Sequence, residues 1–307
     1  MNIRHAILYG FTATFRQKRL ILLLYLLNLA FGLLLILPLL PILDRSFGRS
    51  LSGLGIESRL EVGAIADMLR AHGAGLSLYH HFASALSLLY LVLGSVLAGG
   101  ILHLLLAPSR RAFLPDFMGG CGRFFFRYFR LFLFHLGFLV LVAGGNHLVN
   151  LGIQHLFEDS SHEILATISF WVKLLLLFMI LLTGAAILDY SRILTAIHDR
   201  NHMLRALFTA TRFLAANAGA VFALRFLALG AGAAILLVYW GAIRLVLPDS
   251  AWIPVLVLQQ GVVLGKMILT VFLYASELNL YRGREMTEDI RLISRLSSQE
   301  ALRAALD

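Results

Sequence analysis

The chain has 307 residues, of which 59% are hydrophobic and only 14% are charged, and its net charge is +9. Soluble domains usually carry about 25% charged residues, so this composition excludes an ordinary soluble globular protein. The single cysteine, Cys121, excludes an intrachain disulfide and a cysteine-based zinc site. The basic residues lie beside apolar stretches, which favours anionic lipid headgroups and not nucleic acid as their counter-charge.

Residues 1–19 are predicted to form an amphipathic helix in the cytoplasmic interface of the membrane. Apolar residues recur at helical spacing from Ile3 to Phe15, with Arg4 and Arg16 among the polar positions. The apolar run that follows is longer than the ~7–15 residues of a signal-peptide core. It is therefore predicted to be an uncleaved first span.

Residues 20–280 contain six apolar segments, each of the length needed to cross a bilayer. A helix needs ~20 mostly apolar residues for the ~30 Å hydrocarbon core. The segments are Leu20–Leu43, Phe82–Leu106, Leu131–Gly152, Ile164–Leu188, Val221–Leu247 and Trp252–Tyr274. The sequence predicts an all-α, polytopic transmembrane bundle of six spans.

The distribution of basic residues predicts the orientation of the chain. With six spans, 18 Lys and Arg residues lie on one side, 4 on the other and 4 within the spans. The richer side comprises the N-terminal segment, the second and fourth connections and the C-terminal tail. Because cytoplasmic loops carry the excess of Lys and Arg, both termini are predicted to be cytoplasmic.

The second and fourth connections are predicted to be amphipathic elbow helices seated on anionic lipid. Both combine apolar faces with basic residues, and three glycines in the second permit a sharp elbow. The membrane-surface residues predicted from this pattern are Arg123, Arg127, Arg130, Arg205 and Arg212; the glycines are Gly119, Gly120 and Gly122. The similarity of the two connections raises the hypothesis of an internal repeat, a feature of many transporters.

The tail, residues 281–307, is charged and is predicted to form a short cytoplasmic helix. Ser297 and Glu300 have the spacing of a capping box. Two interpretations are open: a surface helix with no partner, or a docking site for a soluble protein.

Deep cations are the main functional signal of the sequence. Lys173 lies in the fourth span, Lys266 in the sixth and Arg225 in the fifth. Charges inside a membrane are costly and normally face a bundle interior or a watery cavity. The three residues therefore form a candidate site for an anionic lipid or a small anion. The alternative is structural accommodation, in which the lysine stems extend toward the interface or bond to polar neighbours.

Two carboxylates near the ends of these spans are candidate partners for buried arginines. Asp189 and Glu277 are placed to pair with Arg192 or Arg225. No nucleophile elbow, phosphate-binding glycine loop or paired membrane aspartates occur, so the sequence predicts neither an enzyme nor a cofactor. No metal site is predicted either, because the spacings of the histidines match no known ligand pattern.

Several short motifs resemble those of a known class of membrane proteins. Gly99 to Leu102 closes the second span, Phe117 to Arg130 follows, and Asp189 to Ile193 closes the fourth. These features resemble uncharacterised bacterial polytopic membrane proteins, and the arrangement loosely resembles the membrane domain attached to some glycerophosphodiester phosphodiesterases. The resemblance implies a six-helix protein of the bacterial inner membrane. The soluble phosphodiesterase domain is absent, so no activity is implied.

Two functional hypotheses follow from these observations. In the first, the chain transports or binds an anionic lipid or small anion between its helices, through Lys173, Lys266 and Arg225. In the second, it is a non-catalytic scaffold or assembly subunit that rests on anionic lipid and binds a protein partner through its tail. Replacement of the lysines is expected to abolish function in the first case and to be silent in the second.

Overall fold

The computed structural model describes residues 3–41, 73–107, 112–157, 163–199, 202–245 and 252–304. Within these ranges the chain forms seven α-helices and no β-strand, which confirms the predicted all-α class. The helices are α1 (Ile3–Arg16), α2 (Lys18–Ile36), α3 (Gly73–Leu106), α4 (Phe113–Phe157), α5 (Glu163–His198), α6 (Met203–Leu245) and α7 (Trp252–Ala304).

Helices α2 to α7 are each long and apolar enough to cross a membrane, one for each predicted span. This arrangement is consistent with an integral multi-pass membrane protein. Helices α4, α6 and α7 contain 45, 43 and 53 residues, whereas a crossing needs ~20. Each of these three helices therefore joins a span to a further helical segment.

Two of the predicted boundaries differ in the structure. Helix α2 ends at Ile36, where Pro38 has no N–H with which to continue the helical hydrogen bonds, and the predicted limit of the first span, Leu43, lies outside the described residues. The predicted tail helix is not separate, since α7 continues from its apolar part to Ala304.

The chain divides into two compact units. The terminal unit comprises Met1–Gly94 and Ala223–Asp307, and the central unit comprises Ser95–Phe222. Each unit therefore contains complete helices together with parts of two helices, α3 and α6, that continue into the other unit.

In the terminal unit, three helices pack against α7. Gly10 of α1 faces Ser276 and Phe272 so closely that a Cβ atom at Gly10 would overlap the Ser276 hydroxyl. Tyr25 of α2 donates a hydrogen bond of 3.0 Å to the side-chain oxygen of Gln260. The absence of a side chain at Gly10 thus allows α1 to lie against α7, and the Tyr25 hydrogen bond joins α2 to the same helix. Helix α6 runs antiparallel to α7, with Gly265 of α7 against Ile235 of α6.

In the central unit, glycines bring α3 and α4 into close contact. A Cβ atom at Gly99 would lie 3.0 Å from the Gly120 carbonyl, and one at Gly100 would lie 2.5 Å from the Phe117 ring. Such separations are shorter than ordinary van der Waals contacts, so these positions have no room for a side chain. Gly184 of α5 meets the Phe138 ring of α4 in the same way.

The predicted elbows differ from one another. Helix α4 continues unbroken through Gly119, Gly120 and Gly122, so an elbow at these glycines is not confirmed. Helix α6 departs from helical geometry at Asn217 (φ −127°, ψ 24°), and the Asn217 amide donates 3.1 Å to the Phe213 carbonyl. This break lies between the predicted elbow and the predicted fifth span.

Candidate functional site

Lys173 has partners within the central unit. Its ammonium group donates a hydrogen bond to the side-chain oxygen of Asn150 on α4, and it lies 5.3 Å from the centroid of the Phe170 ring. A hydrogen bond and a cation–π contact both lower the cost of holding a cation at this depth. These contacts agree with the structural interpretation of Lys173.

Arg225 also has a partner, as the sequence predicted. One of its guanidinium nitrogens lies 2.8 Å from a Glu277 carboxylate oxygen, and the two side chains are 5% and 0% exposed. The second predicted pair forms as well, since Arg192 lies 3.3 Å from Asp189. Both carboxylates therefore neutralise arginines that would otherwise be buried charges.

Lys266 differs from these two cations because its side chain is exposed on α7. Among the residues that the structure describes, none forms a hydrogen bond or an ion pair with its ammonium group. At 100° per residue, Gln259, Lys266 and Thr270 fall on one face of α7, and Glu277 follows on that face. Lys266 is therefore the centre of a polar stripe.

The three predicted site residues are divided between the two units. Lys173 belongs to the central unit, whereas Lys266 and Arg225 belong to the terminal unit. Within the terminal unit, the Arg225 partner Glu277 lies 11 positions beyond Lys266 in the sequence, or about 16 Å along the helix. The convergence of Lys173 with Lys266 stays a prediction.

A buried polar network joins three helices of the central unit. Arg192 donates 3.1 Å to the hydroxyl of Ser95 on α3, and Ser95 donates 3.1 Å to the main-chain carbonyl of Tyr128 on α4. The Tyr128 hydroxyl donates 2.8 Å to the Arg192 carbonyl, which closes the network. The sequence did not predict the parts played by Ser95 and Tyr128. A serine inside an apolar span is the only signal that could have indicated one of them.

The predicted membrane-surface arginines have an unpredicted partner. Asp199, which directly follows α5, accepts hydrogen bonds from Arg123 at 2.9 Å and from Arg127. The Arg127 hydrogen bond, followed by that of Arg123, lowers the pKa of the Asp199 carboxyl group below its ordinary value. The other three predicted residues, Arg130, Arg205 and Arg212, are exposed.

The described residues contain no group of three or more His, Cys, Asp or Glu side chains that could hold a metal ion. The cationic side chains of Lys266, Arg123 and Arg127 are suited to bind anions.

Comparison of the chain with protein families, curated proteins and solved structures finds no match. The suggested resemblance therefore stays an expectation, and function has to be argued from the geometry.

Proposed function

We propose that this chain is a multi-pass membrane protein that binds an anionic lipid, whose phosphate is held by Lys266 of α7. The observation that carries the proposal is the exposed ammonium group of Lys266 on a helix apolar enough to span a membrane. Lys173 and Arg225 already have polar partners in the chain, so Lys266 is the cation with the greatest need of an external anion.

The depth of Lys266 supports this assignment. It lies about 14 residues after the start of α7 at Trp252, which is ~21 Å along the helix. A charge near the centre of a bilayer costs roughly 2.5–3.5 kcal/mol on insertion scales. A lysine lowers this cost by extending its stem toward the interface. The lipid phosphates there supply the opposite charge.

The orientation inferred from the basic residues places this phosphate in the inner leaflet. Lys266 lies toward the end of the span that leads to Glu277, and that end continues into the arginine-containing tail. With the arginine-rich side in the cytoplasm, the ammonium group extends toward cytoplasmic headgroups. Anionic lipids give this leaflet its negative surface potential. Transport across the membrane would require a further step from this bound state.

Native mass spectrometry of the protein extracted with its own lipids tests the proposal. Lys266→Met should reduce the retention of anionic lipid, whereas Lys173→Met, a matched change in a lysine bound to Asn150, should retain it. Equal retention in the wild type and both variants would contradict the proposal. So would a greater loss in Lys173→Met than in Lys266→Met.

A scaffold role is the second candidate, and the continuation of α7 favours it. The helix extends about 27 residues, or ~40 Å, beyond the buried Glu277. The last 17 of these residues follow Thr287, where the apolar candidate span ends, and supply a helical segment for a protein partner. Deletion of residues 284–307 should then abolish co-purification of a partner and leave lipid retention unchanged. A partner that still co-purifies after the deletion would exclude this role for the tail.

A further inference from the structure

Asp199 occupies an unusual backbone position at the end of α5. Its φ of 49° lies in the left-handed region, and it is the only residue other than glycine with a positive φ in the described part of the chain. Helices commonly end with glycine in this conformation, although Asp and Asn also tolerate it. The residue therefore ends the helix and also carries a negative charge at that point.

The Asp199 carboxylate lies between two arginines one turn apart on α4. One oxygen accepts from Arg127 and the other from Arg123, so both acceptor atoms are engaged. The carboxylate is 51% exposed and the Arg123 side chain 53% exposed, so an anion in solution or in a headgroup layer can reach them. Arg130, one turn further along the helix, is also exposed.

This arrangement has more positive charge than the carboxylate neutralises. Two guanidinium groups face one carboxylate, and each presents a planar fork of N–H donors. Phosphate matches that fork and offers more charge and more acceptor oxygens than a carboxylate. A phosphate group is therefore the ligand chemistry that suits this pair of arginines.

We propose that Arg123 and Arg127 form a phosphate-binding site that Asp199 occupies in the unliganded chain. Asp199 acts as an internal competitor, and the phosphate must displace its carboxylate in order to bind both arginines. The site lies within the central unit and does not depend on the proposed role of Lys266. Its ligand is a phosphate ester, either a lipid headgroup or a soluble metabolite.

Binding measurements on the full-length protein in detergent test the competition. Native mass spectrometry would measure the binding of short-chain phosphatidic acid and, separately, of glycerol 3-phosphate. If the carboxylate holds the arginines two-thirds of the time, Asp199→Asn should raise the apparent affinity about threefold. Asp116→Asn is the control. It removes one negative charge from another position in the central unit, leaves Asp199 with both arginines, and should leave the affinity unchanged.

A second set of variants keeps the test decisive. The gain should disappear when Arg123→Gln and Arg127→Gln are added to Asp199→Asn. Asp199→Gly should reproduce the gain, because glycine also accepts the left-handed backbone and ends the helix. A gain in affinity for both ligands identifies a site that accepts soluble phosphate esters. A gain in affinity for phosphatidic acid alone identifies a site for lipid headgroups. No gain with either ligand, or a gain that survives the loss of both arginines, overturns the proposal.

Discussion

The two units of the molecule hold their buried arginines in different ways. In the central unit, Arg192 pairs with Asp189 on its own helix, and its side chain also donates to Ser95 on α3. In the terminal unit, Arg225 of α6 pairs with Glu277 of α7, and both are almost fully buried. One charge pair therefore lies within a helix, while the other joins two helices.

This difference has an energetic consequence. Removing one partner from a buried ion pair leaves an uncompensated charge, which is far more costly than losing an ordinary hydrogen bond. In the central unit, the Arg192 guanidinium group also donates to the neutral Ser95 hydroxyl, which lowers the cost of burying its charge. In the terminal unit, the fully buried Glu277 carries the charge that balances Arg225. The terminal unit should therefore be the more sensitive to a single substitution.

The largest expected effect is that of Glu277→Gln. It removes the opposite charge from buried Arg225 and should lower the free energy of unfolding by about 3–5 kcal/mol. The apparent melting temperature of the protein in detergent would report the loss. A double variant, Arg225→Met with Glu277→Leu, removes both charges and should recover much of the stability. A double variant as unstable as Glu277→Gln would show that the unpaired charge of Arg225 is not the cause of the destabilisation.

The packing of α1 against α7 gives the next largest effect. Gly10→Ala places a methyl group against Ser276, and such overpacking should cost about 1–3 kcal/mol. Ser276→Gly in the same chain should restore stability by removing the obstacle. Gly32→Ala on α2 is the matched control, since no atom lies within 4 Å of its added Cβ. Equal melting temperatures for Gly10→Ala and Gly32→Ala would exclude the close contact.

Ser95→Ala tests whether a neutral hydrogen bond lowers the cost of burying the Arg192 charge in the central unit. Arg192 and the Tyr128 carbonyl each lose one hydrogen bond, but Arg192 keeps Asp189, so the loss should be about 1–2 kcal/mol. Ser84→Ala, an exposed serine on the same helix, should be neutral. If Ser95→Ala destabilised the chain as much as Glu277→Gln, the contrast between the two units would fail.

The architecture could be predicted because it depends on local signals. The length and apolarity of a span are readable from about 20 consecutive residues. The same holds for the pairing of Asp189 with Arg192, which are three residues apart. Glu277 was a candidate for Arg225 because both lie near the same ends of their spans.

The parts that could not be predicted depend on contacts between distant segments. Asp199 is 72 positions from Arg127, and nothing in a charged turn indicates which side chains it will meet. The glycines of α4 suggested a bend from their conformational freedom. In the structure, Gly120 instead removes a side chain so that α3 can approach. Whether a glycine bends a helix or admits a neighbour is decided by the neighbour.

The ion pair of Asp199 with Arg123 and Arg127 is exposed, in contrast to the two buried pairs. Its removal by Asp199→Asn should have the smallest effect on stability. Since the pKa of Asp199 is lowered in the folded chain, the stabilisation is complete above its ordinary value of 3.8 and is lost as the pH falls through the lowered value. The melting temperature of the wild type should therefore exceed that of Asp199→Asn by a small margin at pH 5–7. The difference should vanish under more acidic conditions. A difference that is constant with pH would mean that Asp199 stabilises the chain through its backbone position and not through its charge.

Because the carboxylate of Asp199 is exposed, solvent and salt screen its interaction with the arginines. The difference in melting temperature between the wild type and Asp199→Asn should therefore shrink as the ionic strength is raised.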